Sequence, residues 1–443
     1  MAAPIVAAAT PWGRSALAVV RLTGDDLAPV LDRILRPMRR GPLEAGRPRR
    51  IEVFDDDGVF DDGVAILLRG PHTATGHDLC EITVHGNPLI VHRLVDAAVA
   101  AGARVAQPGE FTRLAVLSGR LDLLRAEAID QVIRATSPGG LRLGRLGLTG
   151  ILSERIAPLR QGLVELTAEL EARLDYPGDE LALADDAALL TQLSEVAAGC
   201  RRLASGHTAG RVLVDGARIA LVGAVNAGKS SLFNRLVGQP RALVHDSPGT
   251  TRDVVEARCW IGPLQVTLLD TAGERQTSDP IEAAGLALAL ALIEDVDVLI
   301  VVLRAGAGGA TRAVEEAVLA RTADRRRVIV YNGVDRSSGE PPPGAIPTSA
   351  LTGAGLQDLR EALIASLGIG DRADALIASA RQRDLLLQVA RAAEEAAEAL
   401  PLAGVAVAAD LLTDGIAGLD TLTGADTRED VLDAVFARFC VGK

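Results

Sequence analysis

Lysine is almost missing from this chain. Lys229 and Lys443 are the only two among 46 basic residues, and all the others are arginine. Arginine is a planar fork and lysine a compact ammonium on a flexible stem, so arginine cannot stand in for lysine at a tight point-charge contact. The two survivors therefore mark two sites. Aromatic residues are scarce too, at 2% against 48% hydrophobic residues overall, so the cores must be built from Ala, Leu and Val. Positive charge is in deficit: a net charge of −12 argues against a general nucleic-acid coat, because phosphate affinity comes from clustered Lys and Arg. One local cluster, Arg33, Arg36, Arg39, Arg40, Arg47, Arg49 and Arg50, reads either as a solvated loop or helix end or as a contact for RNA.

Cysteine is sparse and scattered. Cys80, Cys200, Cys259 and Cys440 include no pair with metal-ligand or redox spacing. That fits a reducing cytosol and excludes a disulfide framework. The start of the chain has Pro4 and Pro11 and no basic run, unlike a signal peptide. No apolar run approaches the ~18 residues of a membrane span, and Ala284–Ile293 is too short. These absences predict a cytoplasmic protein with no membrane partner.

The length of 443 residues suggests about three domains. Residues 1–115 alternate short apolar runs with turns. Ala16–Leu22, Val64–Leu68 and Leu79–Val84 read as strands, and Leu27–Leu35 and Asn87–Ala101 as helices, giving a small α+β domain. From 116 to 210 the pattern is helical, with Leu159, Leu163, Leu166, Leu170 and Leu174 at the spacing of a buried stripe. Tyr176-Pro177-Gly178 stops that helix. Residues 211–368 alternate strand and helix, as in a parallel sheet covered by helices, and residues 369–443 return to helix. The simplest architecture is an α/β domain inserted into a discontinuous helical one. Pro341-Pro342-Pro343-Gly344 reads as a rigid surface loop.

Lys229 sits in Gly223-Ala-Val-Asn226-Ala227-Gly228-Lys229-Ser230, between a strand, Ile219–Val222, and a helix opening at Ser231. This is the context of a phosphate-binding loop, in which backbone N–H groups and the helix N-terminus cradle phosphates. Lys229 would reach the β- and γ-phosphates and Ser230 would ligate magnesium. Asp270-Thr271-Ala272-Gly273 follows another strand; its carboxylate can hold the magnesium shell and Gly273 N–H can face the γ-phosphate. Between the two lies His245-Asp246-Ser247-Pro248-Gly249-Thr250-Thr251, where a threonine can close on the metal as a switch. Asn332-Gly333-Val334-Asp335 ends a strand and would read guanine through Asp335. Alone it reads as a turn, but with Ser349-Ala350-Leu351 following at the right distance the order is that of a GTPase. GTPases usually carry lysine where this chain has Gly333, so weaker guanine affinity is expected.

Further stretches resemble one family closely, the MnmE (TrmE) tRNA modification GTPases. They are Ala9-Thr10-Pro11 with Gly13-Arg14, Val20-Arg21-Leu22-Thr23-Gly24, His85-Gly86-Asn87-Pro88 and Gly109-Glu110-Phe111-Thr112-Arg113. Leu121-Asp122-Leu123 with Ala126-Glu127-Ala128, Asp175-Tyr176-Pro177 and the terminal Phe439-Cys440-Val441-Gly442-Lys443 complete the set. The resemblance covers nearly the whole chain.

The resemblance implies an N-terminal folate-binding domain that also dimerises, a helical domain, and an inserted G domain. It implies a homodimer and a partner, MnmG (GidA), which carries FAD and uses NADH. Together such proteins place an aminomethyl or carboxymethylaminomethyl group on C5 of the wobble uridine of certain tRNAs, with a tetrahydrofolate derivative as one-carbon donor. Family folate contacts fall on Arg21, Glu81, Arg120 and Lys443. Cys440 matches a candidate catalytic thiol, with a small buried hydrophobe as the other reading. Hydrolysis in the family uses potassium, with ligands matching Asn226, His245, Ser247 and Thr250, and a carboxylate matching Glu282 that orients water. Gly333, His77 (for a usual Glu) and Glu274 (for a usual apolar residue) depart from the pattern. Two rival functions remain: a ribosome-assembly GTPase switch, and a scaffold with a degenerate G domain.

Overall fold

A computed structural model describes residues 3–39, 41–175, 185–238, 255–270, 296–337, 339–369, 375–426 and 429–442. The chain divides into two compact units. The first comprises Met1–Asp130, Gly147–Ala198 and Gln388–Lys443, and the second Gln131–Leu146 and Gly199–Leu387.

The first unit holds a seven-stranded sheet in the order β3-β4-β5-β6-β2-β1-β7. The strands are β1 (Ile5–Ala8), β2 (Leu17–Gly24), β3 (Leu35–Pro37), β4 (Arg49–Asp55), β5 (Gly58–Leu68), β6 (Asp78–His85) and β7 (Arg104–Val105). In β2, Ala18, Val20 and Leu22 are buried while the residues between them are partly exposed, the period of two that fixes which face meets the core. That core is closed by α1 (Ala28–Ile34) and α2 (Pro88–Ala100). His85-Gly86-Asn87-Pro88 has a local explanation: Asn87 caps α2 by accepting from Leu89 N–H at 3.0 Å, and Pro88 opens the helix where its missing N–H costs nothing. The basic cluster is not a plain loop, since Arg33 ends α1, Arg36 lies in β3, and Arg49 and Arg50 open β4.

After α3 (Glu110–Leu117), helix α6 (Ile151–Asp175) packs on α13 (Val405–Thr423), pinned by Arg160, which donates to both carboxylate oxygens of Asp420 at 2.6 and 3.1 Å. Leu163, Leu166 and Leu170 are buried as the stripe requires, each contributing about 1.5–3 kcal/mol. Leu174, at the end of that stripe, is exposed.

The second unit is built on a six-stranded sheet in the order β13-β12-β11-β8-β10-β9. Its strands are β8 (Ala217–Gly223), β9 (Val255–Ile261), β10 (Leu264–Asp270), β11 (Val298–Arg304), β12 (Arg327–Asn332) and β13 (Ile346–Thr348). All neighbours are parallel except β9 against β10. Val298–Leu303 is buried throughout because helices cover both faces: Val298, Ile300 and Val302 join one core, Leu299, Val301 and Leu303 the other. The covering helices are α9 (Lys229–Val237), α10 (Gly309–Arg321) and α11 (Leu356–Ser366). Sequence periodicity finds β8, β10, β11 and β12 but not the short β13, nor β9. Among the described residues, no helix is long and apolar enough to cross a membrane.

Candidate nucleotide site

Five parallel strands of the second unit bring their C-terminal ends to one edge, where ligands of open α/β sheets bind. Gly223 ends β8, Asp270 ends β10, Asn332 ends β12 and Thr348 ends β13. The phosphate-loop residues follow Gly223. Asn226 takes φ 60°, the left-handed region a non-glycine residue rarely enters, and its side chain is exposed at the rim. Gly228 (φ 91°) has no room for a side chain, since a Cβ there would collide with Asn332 Nδ2. It also caps α9, which starts at Lys229.

Lys229 is 8% exposed, and its ammonium donates to Gly223 O and Ala224 O at 2.9 Å each. Burial lowers its pKa, partly offset by the charge of Asp270, itself buried. Ala227 is buried, whereas Ser230 and Ser231 are exposed at the start of the helix.

Asn332 joins three parts of the site. Its Nδ2 donates to Ala227 O at 3.1 Å, and its Oδ1 accepts from Ala350 N–H at 3.2 Å. Asp335 Oδ1 accepts from Ser349 Oγ at 2.5 Å. Ser349 and Thr348 are fully buried, and Thr348 O accepts from Gly333 and Val334 N–H at 2.8 and 3.2 Å. Thr348 carries no side-chain signal in the sequence; it acts through its carbonyl. Leu351 is 76% exposed beside this pocket of polar groups. His245, Asp246, Ser247, Pro248, Gly249, Thr250, Thr251, Thr271, Ala272, Gly273, Glu274, Glu282 and Lys443 lie outside the described residues.

The first unit brings together the other set. Arg21 Nε and Nη2 donate to Glu81 Oε1 at 3.0 and 2.6 Å, across the paired strands β2 and β6. Arg21 Nη1 reaches Gly442 O at 3.4 Å, and its guanidinium stands 5.8 Å from the Phe111 ring. The terminal segment is held by Gly109 N–H donating to Cys440 O and by an isolated bridge between Pro108 and Val441. Phe436 and Phe439 pack edge-to-face beneath it, 5.0 Å apart. Cys440 is exposed, which removes its reading as a buried hydrophobe. Cys80, Cys200 and Cys259 are buried free thiols. Arg120 is exposed and makes no ion pair among the described residues. His77 Nδ1 lies 2.8 Å from Asp25 Oδ1.

Two family models match the chain: the GTP-binding protein TrmE N-terminus over residues 4–120 and the MnmE helical domain over residues 123–440. This chain belongs to the MnmE family of tRNA modification GTPases. The MnmE of Roseiflexus castenholzii is 37% identical over 99% of both chains. That of Synechococcus sp. (strain CC9605) is 40% identical, over 99% of this chain and 98% of its own. Among solved structures, the G domain of the T. maritima FeoB iron transporter matches 34% of this chain and 98% of its own, at 24% identity and a TM-score of 0.27. As an MnmE-family member the chain is a GTPase with an N-terminal α+β domain and a helical domain interrupted by a P-loop α/β domain.

Proposed function

We propose that this chain is a potassium-dependent GTPase that works with an FAD-containing MnmG (GidA) partner on tRNA. Together they would add an aminomethyl or carboxymethylaminomethyl group to C5 of the wobble uridine of certain tRNAs, drawing the carbon from a tetrahydrofolate derivative. Residues 1–115 would bind the folate and form a homodimer. Residues 116–210 with 369–443 would form the helical domain, and 211–368 the G domain. The protein would act in the cytoplasm.

The observation that carries the nucleotide reading is the buried Lys229 ammonium, which donates to two loop carbonyls, Gly223 O and Ala224 O. Burial lowers the pKa of this cation more than the Asp270 charge raises it, and a phosphate of GTP would add further negative charge beside it. Asn332 reaches the same loop through Ala227 O and Asp335 is held by Ser349, and these two would read the base. Asn226, Ala227, Gly228, Ser230 and Ser231 would line the phosphates with backbone N–H groups, as would Thr271, Ala272 and Gly273. Ser230 and Thr251, with Asp270 behind them, would hold Mg2+, which neutralises phosphate charge. Asn226, His245, Ser247 and Thr250 would hold K+, with Asp246, Pro248 and Gly249 shaping that segment. Potassium supplies a positive charge at the phosphates without an arginine finger. Glu282 would orient the attacking water. Ser349, Ala350 and Leu351 would border the base.

For the folate, Arg120 is open to receive a carboxylate of the glutamate tail, a contact suited to a guanidinium. Arg21 and Glu81 would shape the site as a pair, and Lys443 would add the second compact ammonium. Exposed Cys440 is free to react. The decisive experiment is GTP turnover by the full chain in potassium and in sodium buffer, with ATP as control. Strong potassium dependence and GTP preference are expected. Equal, slow turnover in both salts would sink the potassium reading and favour a scaffold.

A further inference from the structure

The base-reading turn lacks a side chain where a lysine would ordinarily lie along the base. Gly333 adopts φ 92°, a left-handed conformation in which a side chain is strained, so the backbone here disfavours a lysine. The space beside it is not bare. The turn folds back through Arg336 N–H donating to Gly333 O at 3.0 Å. That fold brings Arg336 Nη2 to 3.8 Å from the point a Gly333 Cβ would occupy, with Ala305 Cβ at 4.0 Å from the same point.

Among the described residues, Arg336 makes one loose ion pair: its side chain is 78% exposed, and its Nε lies 3.8 Å from Asp335 Oδ2, beyond hydrogen-bond length. Asp335, only 14% exposed, already has its other oxygen fixed by Ser349. A planar guanidinium beside the base-reading turn, with no tight partner among the described residues, is suited to stack on a purine face.

We propose that Arg336 takes over the missing lysine's task, lying flat on the guanine ring while its charge steadies Asp335. The inference rests on reading this slot as the guanine site. It fits a chain in which arginine does nearly all that lysine does elsewhere. Stacking is indifferent to the substituents of a purine, so Arg336 would set affinity, and Asp335 would set the choice of base.

The test is titration of the full chain with ribose-labelled fluorescent GDP, comparing Arg336→Ala, Arg336→Tyr and Asp335→Asn. Arg336→Ala is expected to weaken binding about tenfold, and Arg336→Tyr to restore most of it, because a phenol ring can stack. The thermal midpoint should not move, since the side chain is exposed. Asp335→Asn should shift preference from guanine to xanthine nucleotides. If that shift occurs while Arg336→Ala binds as well as the parent, the inference about Arg336 is wrong and the guanine site stands. If Asp335→Asn leaves the preference unchanged, the guanine reading falls and the inference falls with it.

Discussion

The phosphate loop and the proposed folate site at Arg21 and Glu81 are built from different parts of the chain. In the loop, the backbone performs the work: Gly228 must be glycine to clear Asn332, and Lys229 is held by carbonyls. In the first unit, two long side chains meet across the paired strands β2 and β6, and the backbone enters only through Gly442 O, which accepts from Arg21. Sites built from backbone leave glycines at fixed spacing. Sites built from side-chain pairs leave only two charged residues sixty positions apart.

The sharpest break of the comparison is at Lys229. Lys229→Ala should lower GTP turnover by about 10²–10³, the usual loss when a charge on the transferring group is removed. Lys229→Arg should fare little better, because the buried slot between two carbonyls fits a compact ammonium and not a fork. Steady-state turnover of both variants decides this; an active arginine variant would mean that lysine's survival here has no steric cause. Next in size is Gly228→Ala. Positive φ and the clash with Asn332 should cost about 1–3 kcal/mol, seen as a lower urea midpoint at unchanged m-value. If the midpoint holds, the loop is less constrained than its geometry says.

These contrasts explain what was legible in the sequence. The α/β sheet announced itself through doubly buried runs such as Val298–Leu303, and the phosphate loop through its glycines and its lysine. β9 was missed because its exposed alternate residues dilute the apolar signal, and β13 because three residues carry no period. Thr348, which holds the Asn332–Asp335 turn, works by a carbonyl that every residue has. Arg21, Glu81 and Arg120 carry no local signal, since isolated charged residues on strands and turns look alike in sequence. The structure adds a distinction between them, since Arg21 is engaged by Glu81 and by Gly442 O while Arg120 is open.

That distinction makes a paired prediction. Arg120→Ala should weaken binding of a tetrahydrofolate about tenfold with no change in thermal midpoint, as expected for loss of one charge-assisted contact. Arg21→Ala should weaken binding too, and also cost about 1 kcal/mol of stability, because Glu81 and the terminal segment lose their partner. Isothermal titration and melting curves on both variants would expose the distinction as false if the two behaved alike.

The smallest effect concerns a side chain that serves neither site. His207 opens α8 (His207–Asp215) in the same unit as the phosphate loop, 6% exposed, and its Nε2 has no hydrogen-bond partner among the described residues. Burial, then the charges of Arg383 and Arg211, hold its pKa below the ordinary 6.5, against the opposing pull of Asp384 and Asp215. The unfolded chain therefore binds the extra proton first as pH falls below 6.5. Stability contributed by the neutral ring is complete above that value and is lost as acid approaches the folded pKa. His207→Gln, which carries no titrating group, should flatten the fall in melting temperature between about pH 7 and about pH 5. An unchanged slope would assign acid sensitivity to carboxylates such as Glu110, whose pKa is lowered despite its burial by Arg104, Gln107 N–H and Arg113. Glu110 lies in the first unit, and His207 in the second. Following the melting of the two units separately would therefore show which of them acid opens first.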